Sequence, residues 1–195
     1  AASDIEFKFP FGFKELEGIH SRTDFDLSQH QEFSGKKLQY FDNELNESYT
    51  PCVVETSIGL DRMFLAIFSN SLVNEELDNN TSRVVLKLPI FLAPYKAAIL
   101  PLVKKDGLSE LSREIYNKLR LSLNITFDEK DAVGRRYRRQ DAIGTPFCIT
   151  VDHQSKEDNS VTVRNRDSML QERIPIIELE KYLLDRVSFK SHINK

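Results

Sequence analysis

The pattern of hydrophobic and polar positions divides the chain into two groups of predicted elements. In the first group, apolar residues alternate with polar ones from Ile5 to Phe9, and this period of two predicts a strand. The polar residues 31–51 predict a loop or a hairpin. The apolar stretch 52–68 predicts a short buried strand, a turn at residues 55–57 and then a helix.

The second group begins near Val84 and alternates predicted strands with predicted helices. Prolines interrupt its first apolar stretch, which favours extended segments over one long helix. A succession of strand, helix and strand normally forms a right-handed crossover, so the first strands are expected to be parallel. Strands are expected at residues 96–103, 125–127, 146–151 and 161–164, and helices at residues 108–120, over the arginines 135–139 and at 176–187.

A polar, acidic stretch between the two groups predicts a boundary. We place the first domain at residues 1–72, a linker at residues 73–84 and the second domain at residues 85–195. Residues 1–80 carry 6 Lys and Arg against 15 Asp and Glu, whereas residues 81–195 carry 21 against 15. Because an acidic part repels nucleic acid and a basic part attracts it, the two parts are expected to have different partners.

Several classes of protein are disfavoured by the composition. No apolar run approaches the roughly 18 to 20 residues of a membrane span, and no leader opens the chain, so we expect a cytoplasmic globular protein with no membrane partner. Cys52 and Cys148 have no partner at metal or redox spacing and are expected to be free thiols. The four histidines fall at no metal-ligand spacing, and the seven glycines form no phosphate-binding loop.

An arginine-rich stretch, GRRYRRQDAIGTPFCITVD, begins at Gly134 and carries the clearest candidate chemistry. Arginine forks bind phosphate bidentately, and an aromatic ring offers a stacking face to an unstacked base. From composition alone, the alternative is a solvated basic helix end with Tyr137 in the core. The order of residues resembles the anticodon-binding domain of class IIa aminoacyl-tRNA synthetases in Arg136, Tyr137, Arg139, Asp141, Ile143, Gly144 and Pro146.

Further motifs narrow the resemblance to glycyl-tRNA synthetases of the dimeric, single-gene type. The segment VTVRNRDSMLQER at residues 161–173 is similar to that family, and so is Glu-Leu-x-Gly-Ile from Glu15 with the Arg-x-Asp-Phe-Asp-Leu that follows it. A strand, a small-residue turn and a helix with Arg62 in its first turn resemble motif 3 of class II synthetases. The family usually has proline where Thr56 stands, a departure that changes the stiffness of the turn more than its chemistry. From spacing alone, Arg62 is an exposed helix arginine, and Glu15 lies on either a solvated edge or a pocket wall.

The resemblance implies an α/β fold in two parts. An antiparallel-sheet remnant of a class II synthetase catalytic domain is expected before a mixed five-stranded sheet flanked by helices, the class IIa anticodon-binding fold. The motifs imply a C-terminal piece of the enzyme, without motifs 1 and 2, that does not catalyse alone. The full-length enzyme is expected to be a homodimer that uses ATP and Mg²⁺.

The resemblance also implies a role for each residue that matches a family motif. Arg62 is the expected catalytic residue, because a cation beside the outgoing pyrophosphate stabilises developing negative charge. Glu15 and Glu55 are candidate metal ligands, since carboxylates hold Mg²⁺ beside phosphates. The expected ATP-binding residues are Glu15, Leu16, Gly59, Leu60, Asp61 and Arg62; the glycine-binding residues are Glu55, Thr56, Ser57, Ile58 and Gly59; and the anticodon-binding candidates are Arg135, Arg136, Arg138, Arg139, Arg164 and Arg166.

The implied function is that of a glycine–tRNA ligase, in which ATP activates glycine to glycyl-adenylate and the glycyl group passes to tRNA(Gly). This chain would supply motif 3 and anticodon recognition. A non-catalytic accessory subunit of the mitochondrial DNA polymerase type shares the architecture, but Glu15, Glu55, Ser57 and Arg62 favour a synthetase. A stand-alone RNA-binding module is disfavoured, because residues 7–70 have catalytic-domain patterning and no basic surface.

The arginine motif also has a structural alternative. Arg136 and Arg139 would then pair with Asp141 or Asp167 inside the domain. In that case their replacement would unfold the domain instead of relaxing the specificity for RNA.

Overall fold

The computed structural model describes residues 1–77 and 81–193 and divides the chain into two compact units, Ala1–Ser69 and Asn70–Lys195, here called the N-terminal unit and the C-terminal unit. Among the described residues, no helix is long and apolar enough to cross a membrane. The elements that begin in the N-terminal unit are β1 (Ala2–Phe9), β2 (Gly12–Thr23), α1 (Phe25–Ser34), β3 (Tyr40–Asp42), β4 (Glu47–Tyr49), β5 (Val53–Ile58) and α2 (Leu60–Ser71). Those of the C-terminal unit are β6 (Leu72–Leu77), β7 (Thr81–Leu86), a 3₁₀ turn (Ile90–Leu92), β8 (Ala97–Pro101), α3 (Leu108–Leu119), β9 (Ile125–Phe127), α4 (Val133–Ile143), β10 (Phe147–Val151), α5 (Ser155–Asp158), β11 (Ser160–Asn165), β12 (Gln171–Pro175), α6 (Leu179–Val187) and α7 (Lys190–Ile193).

The N-terminal unit contains the expected antiparallel sheet, in the order β1-β2-β5. The polar residues between β2 and β5, where a loop or a hairpin was expected, contain the hairpin of β3 with β4. The expected turn at residues 55–57 is wrong, because pairing with β2 extends β5 through these residues to Ile58. Helix α1 was not predicted, and none of its ten residues is buried, so it leaves no apolar stripe in the sequence.

Few side chains of the N-terminal unit are buried. Phe9 and Ala66 are its buried hydrophobic residues. Phe64 was expected on the core face of α2, but its exposed fraction is 66%, and that of Leu60 at the start of the helix is 82%. With so little apolar area removed from water, this unit has a weak core by itself.

The C-terminal unit is built on a mixed five-stranded sheet in the order β12-β11-β10-β8-β9, which confirms the expected α/β fold. Strand β8 pairs in parallel with both β9 and β10, as the crossover pattern predicted. Strands β10, β11 and β12 continue as an antiparallel meander. The predicted and observed bounds of α3 differ by one residue, and those of β9 coincide.

Alternate residues of β8 separate the two faces of this sheet. Ala97 and Ile99 point into the main core, where α3 and α6 pack with their buried leucines. Ala98 and Leu100 point to the other face, against Tyr137 of α4. Helices therefore flank the sheet on both faces, with α4 on the face opposite α3.

The expected linker at residues 73–84 is wrong for its described residues, which belong to the hairpin of β6 and β7. The domain boundary lies at residues 69 and 70 and not after residue 72. The polar composition suggested a solvated segment, but alternate residues of β7, Arg83 and Val85, are buried, and the strand packs against α4. Residues 78–80 of the expected linker lie outside the described residues.

Candidate functional site

The register of β2 and β5 decides which of the predicted glycine-binding residues share a face. Ser57 lies opposite Gly18, and Glu55 lies opposite His20, so these residues project from one face of the sheet. Carboxylate and hydroxyl oxygens on one face suit an ammonium group. The opposite face carries Thr56 and Ile58, which are therefore separated from the other candidates.

Arg62 lies in the first turn of α2, as predicted, and contacts β2. Its Nη1 donates a hydrogen bond of 2.6 Å to the backbone oxygen of Glu15 and lies 3.9 Å from the carboxylate of that residue. Both side chains are 53% exposed, so the guanidinium keeps donors that face solvent. Gly59 begins the helix, because its oxygen accepts the Met63 backbone N–H at 2.9 Å. The other ATP candidates are half-buried (Leu16) or exposed (Leu60, Asp61).

The two carboxylates predicted as magnesium ligands are not arranged as a shared site. Glu15 lies five residues from His20, the residue opposite Glu55, and a strand rises about 3.3 Å per residue. The nearest cation to Glu55 is Arg22, whose Nε is 3.6 Å from the carboxylate. Among the described residues, no three carboxylate, histidine or cysteine side chains cluster as a metal site.

In the C-terminal unit, Arg136 was predicted to contact RNA but is buried. Its side chain reaches under the end of β8 and donates to the backbone oxygens of Pro101, Asp128 and Asp131. Only 2% of the residue is exposed. All its partners are carbonyl oxygens at strand and loop ends, so Arg136 satisfies backbone acceptors that would otherwise be buried without a donor.

Arg164 is also buried, and its partner is Asp141. Its Nη1 and Nη2 donate to the two carboxylate oxygens of Asp141 at 2.8 and 3.1 Å. The guanidinium also lies 4.9 Å from the centre of the Tyr137 ring. Burial acts to lower the pKa of Arg164, but the hydrogen bonds to Asp141 and the attraction between the two charges together raise that pKa. This arginine is therefore a permanent cation inside the unit.

Arg166 is the third buried arginine. Its guanidinium donates to the backbone oxygens of Leu86, Leu88 and Gly144 at 2.8 to 3.0 Å and to Asp167 at 2.7 and 2.9 Å. It thereby ties the end of β11 to β7 and to the end of α4. The assignment of Arg136, Arg164 and Arg166 to the anticodon is therefore corrected, because all three are buried and bind partners inside the unit.

Arg139 is exposed but is bound to two carboxylates. Its side chain donates to Asp128 at 2.8 and 3.0 Å and to Asp131 at 3.0 Å. The hydrogen bond from Arg139 lowers the pKa of Asp131. The structural alternative is wrong in its partners, because neither Arg136 nor Arg139 pairs with Asp141 or Asp167; Arg136 binds backbone oxygens, and Arg139 binds Asp128 and Asp131. Within the described residues, Arg135 and Arg138 are the predicted arginines that are exposed and whose side chains form no hydrogen bond or ion pair.

These two arginines lie on α4, which begins beside the carboxyl ends of the parallel strands. The chain leaves β8 towards β9 on one side and returns to β10 on the other, so the crevice between the ends of β8 and β10 is a topological switch point. The loops that follow these strands meet there, because Lys156 Nζ donates to the Asp106 oxygen at 2.9 Å and His153 Nε2 lies 4.0 Å from the Asp106 carboxylate. In open α/β sheets, ligands bind at such crevices.

Several exposed basic residues in these loops escaped the sequence analysis. We define the carboxyl-end surface by Arg135, Arg138, Lys104, Lys105, Lys130 and His153, which are all exposed. The lysines and the histidine stand singly or in pairs among polar residues and have no motif. The signal that could have found them is the expected parallel order, because it places the loops after these strands at one edge of the sheet.

A cavity of about 620 Å³ lies at the opposite edge of the sheet. Its lining includes Phe147, Asn165, Glu172 and Tyr182. The guanidinium of Arg186 stacks on the Tyr182 ring at 3.6 Å from its centre. None of the predicted site residues lines this cavity within the described part of the chain, so its size does not make it the candidate site.

Comparison with known proteins agrees with the motifs. Residues 96–186 match the family model described as an anticodon binding domain. The chain is 54% identical over 189 residues to a glycine–tRNA ligase of Clostridium beijerinckii, covering 97% of this chain and 40% of the relative. It is 53% identical to that of Clostridium tetani, with the same coverage, and 50% identical to that of Borrelia hermsii, covering 94% and 42%. The resemblance to glycyl-tRNA synthetases is confirmed, and the chain spans about 40% of the length of these relatives.

A solved structure supports the fold alone. The RNA binding domain of threonyl-tRNA synthetase from Cryptosporidium parvum Iowa II matches 95% of this chain and 42% of its own with a TM-score of 0.67 and 19% identity. The curated relatives carry ligase names, so the hypothesis of a polymerase accessory subunit has no support.

Proposed function

We propose that this chain, which is similar to glycine–tRNA ligases over 97% of its length, supplies two parts of such an enzyme. Its N-terminal unit would help to activate glycine with ATP to glycyl-adenylate, and its C-terminal unit would recognise the anticodon of tRNA(Gly). We place the whole enzyme in the cytoplasm as a homodimer. The residues from Ala1 to Lys195 would not catalyse alone, because motifs 1 and 2 are not among them.

The activation step rests on Arg62 and on the face that carries Glu55 and Ser57. Arg62 is half-exposed and keeps unpaired donors, so it can stabilise the negative charge that develops on outgoing pyrophosphate. The carboxylate of Glu55 and the hydroxyl of Ser57 can accept hydrogen bonds from the ammonium group of glycine. Magnesium, when bound with ATP, would neutralise phosphate charge, and Glu15 is the carboxylate nearest to Arg62 that fits this role.

Arg62→Ala tests the activation step in a protein of the relatives' length that contains residues 1–195. One cation at a developing charge is worth about 10² to 10³ in rate. We therefore expect glycine-dependent exchange of pyrophosphate into ATP to fall by that factor, while Arg113→Ala, an exposed arginine of the other unit, leaves the exchange unchanged. Normal exchange by Arg62→Ala would refute the motif 3 assignment.

Anticodon recognition is carried by one observation: Arg135 and Arg138 are exposed and unpaired beside the switch-point crevice, within the residues that match the anticodon-binding family model. Guanidinium groups read base edges and stack on unpaired bases. Lys104, Lys105 and Lys130 add positive charge that attracts phosphates without reading sequence. The carboxyl-end surface therefore has groups for affinity and groups for discrimination.

A stem-loop with the tRNA(Gly) anticodon, compared with one whose anticodon bases are replaced, tests this proposal on residues 1–195. We expect the matched stem-loop to bind more tightly by about 1 to 3 kcal/mol for each base read. Arg135→Ala or Arg138→Ala should reduce that preference if the side chain contacts a base. If it contacts phosphate, both affinities should fall and the salt slope should decrease by about 1.

Arg113→Ala is the matched control for these variants. Arg113 is an exposed arginine of α3, on the other face of the sheet, and pairs with Glu129. Its replacement should change neither affinity by more than about twofold, because a surface ion pair contributes little. Equal binding of matched and altered stem-loops by the unmodified chain would end the proposal.

A further inference from the structure

Helix α4, which presents Arg135 and Arg138, is held by a buried network of charges that reaches the β6–β7 hairpin. The Asp141 carboxylate is fully buried and accepts a hydrogen bond of 2.9 Å from Nη1 of Arg83 on β7, in addition to those from Arg164. The Arg83 side chain is 1% exposed. This contact joins residues 58 positions apart in sequence, so it fixes α4 to the hairpin and not to segments that are adjacent in sequence.

The carboxyl end of α4 contacts the same strand through the backbone. Gly144 ends the helix with φ +84, a conformation that glycine adopts without strain. A Cβ atom at this position would lie 2.9 Å from the Leu86 oxygen, so the close approach of α4 to β7 also requires glycine. Arg166 Nη1 bridges the two backbones by donating to the oxygens of Leu86 and Gly144.

Arg83 is itself held from the hairpin side. Its Nε donates to Glu75 of β6 at 2.7 Å, and Lys87 contacts the other oxygen of the same carboxylate. The Lys87 contact lowers the pKa of Glu75, with Arg83 adding to the effect, so the carboxylate stays ionised near neutral pH. Held from both sides in this way, the guanidinium of Arg83 links the hairpin to α4.

We propose that Arg83 is a positioning residue of the carboxyl-end surface, because it fixes α4 through Asp141. The inference rests on the proposed binding of RNA by Arg135 and Arg138. Strands β6 and β7 lie outside the residues 96–186 that match the anticodon-binding family model, so residues that set the carboxyl-end surface would extend beyond that match. Hydrogen bonds to base edges weaken steeply with misalignment, whereas attraction to phosphate tolerates displacement. A shift of α4 should therefore cost discrimination before it costs affinity.

The test compares Arg83→Met with Arg83→Lys in residues 1–195, using the matched and altered anticodon stem-loops. For Arg83→Met we expect the ratio of the two dissociation constants to move towards 1 by about fivefold or more, the loss of one base contact. Binding of the altered stem-loop should stay within about threefold, because the exposed cations are unchanged. Arg83→Lys should recover part of the ratio, since an ammonium group can still meet Asp141. Arg113→Met is the control for loss of an arginine elsewhere in the unit.

The outcomes separate the positioning role from a merely structural one and from the proposed function. Asp141 keeps Arg164 as a counter-charge in Arg83→Met, so we expect the unit to remain folded, with native circular dichroism and slow amide exchange in β10. If that variant is folded and keeps the ratio of the unmodified chain, the positioning role is overturned and anticodon recognition stands. If Arg83→Met unfolds, an unchanged ratio in Arg83→Lys overturns the role instead. If the unmodified chain does not discriminate, the proposed function itself fails.

Discussion

Replacement of Asp141 by Asn removes the charge at the centre of the C-terminal unit while keeping its shape. Asp141 is completely buried, and it accepts hydrogen bonds from Arg83 and Arg164, whose side chains are 1% and 7% exposed. An amide can accept only one of these bonds well and turns its NH₂ group towards a donor. The buried guanidinium of Arg164 would then lose its counter-charge, and that of Arg83 would keep Glu75 alone. Breaking a buried ion pair by removing one partner costs about 3 to 5 kcal/mol.

Asp167→Asn provides the matched control, because it is the same substitution beside another buried arginine. Asp167 pairs with Arg166, but its own side chain is 42% exposed, and Arg166 keeps three backbone acceptors. Solvent screening at such a site limits the loss to about 1 kcal/mol or less. The difference between the two variants is therefore expected to be at least about 2 kcal/mol.

Hydrogen exchange of amides in β10 and β11, measured across a urea series, reports the opening of this unit alone. A typical domain has about 5 to 15 kcal/mol of stability, so Asp141→Asn should open the unit at much lower urea and could leave it partly unfolded in water. An Asp141→Asn protein as stable as Asp167→Asn would show that the buried network contributes nothing to the stability of the unit. The positioning role of Arg83 would then have no support.

Three further predictions concern single side chains. Ser112→Ala should raise the free energy of unfolding by about 1 kcal/mol in urea denaturation, because Ser112 Oγ is buried without a hydrogen-bond partner among the described residues; a lower value would contradict this. Cys52 should react with a thiol reagent at neutral pH and Cys148 should not, because Cys148 is buried and burial raises its pKa to about 12. The protonated thiol of Cys148 therefore contributes to the stability of the unit up to about pH 9, and this contribution is lost as the pH rises to 12. Arg173 lowers the pKa of Asp158, so this pair stabilises the unit above about pH 4 and its contribution is lost on acidification. Arg173→Gln should therefore reduce the loss of unfolding free energy at acid pH, and an unchanged loss would refute this role of the pair.

Elements with a strong local pattern of apolar residues were predicted well from the sequence. Residues of α3 repeat at helical spacing and bury one stripe, so the helix was predicted to within a residue at each end. The hairpin of β6 and β7 was not predicted, because its sequence has no such local pattern. Arg83 is a charged residue in a polar stretch, and burial of its side chain depends on a distant partner, Asp141, as well as on Glu75 of β6. A contact across 58 positions leaves no local signal.

Predictions for the candidate site also succeeded where neighbouring residues carried the signal and failed where it came from distant ones. Arg62 was placed correctly in the first turn of a helix, although the turn predicted at residues 55–57 is part of β5. The distance between Glu15 and Glu55, the two candidate metal ligands, could not be predicted, because strand register sets that distance and register depends on pairing. The exposed lysines of the carboxyl-end surface were missed because their proximity comes from the order of the strands, to which no single motif refers.

The arginine motif shows why a resemblance can identify a family without identifying the atoms that act. Arg136, Asp141 and Gly144 match the family pattern, and each solves a problem of the fold: backbone oxygens without donors, a buried ion network, and a helix that ends against a strand. Such positions tolerate few residue types, because lysine cannot replace a bidentate guanidinium and no side chain fits at Gly144. Arg135 and Arg138 have no such constraint from the fold, since their side chains face solvent. A residue that the fold does not require is free to be chosen for its ligand, so specificity for RNA should be sought among the exposed residues between the motif positions.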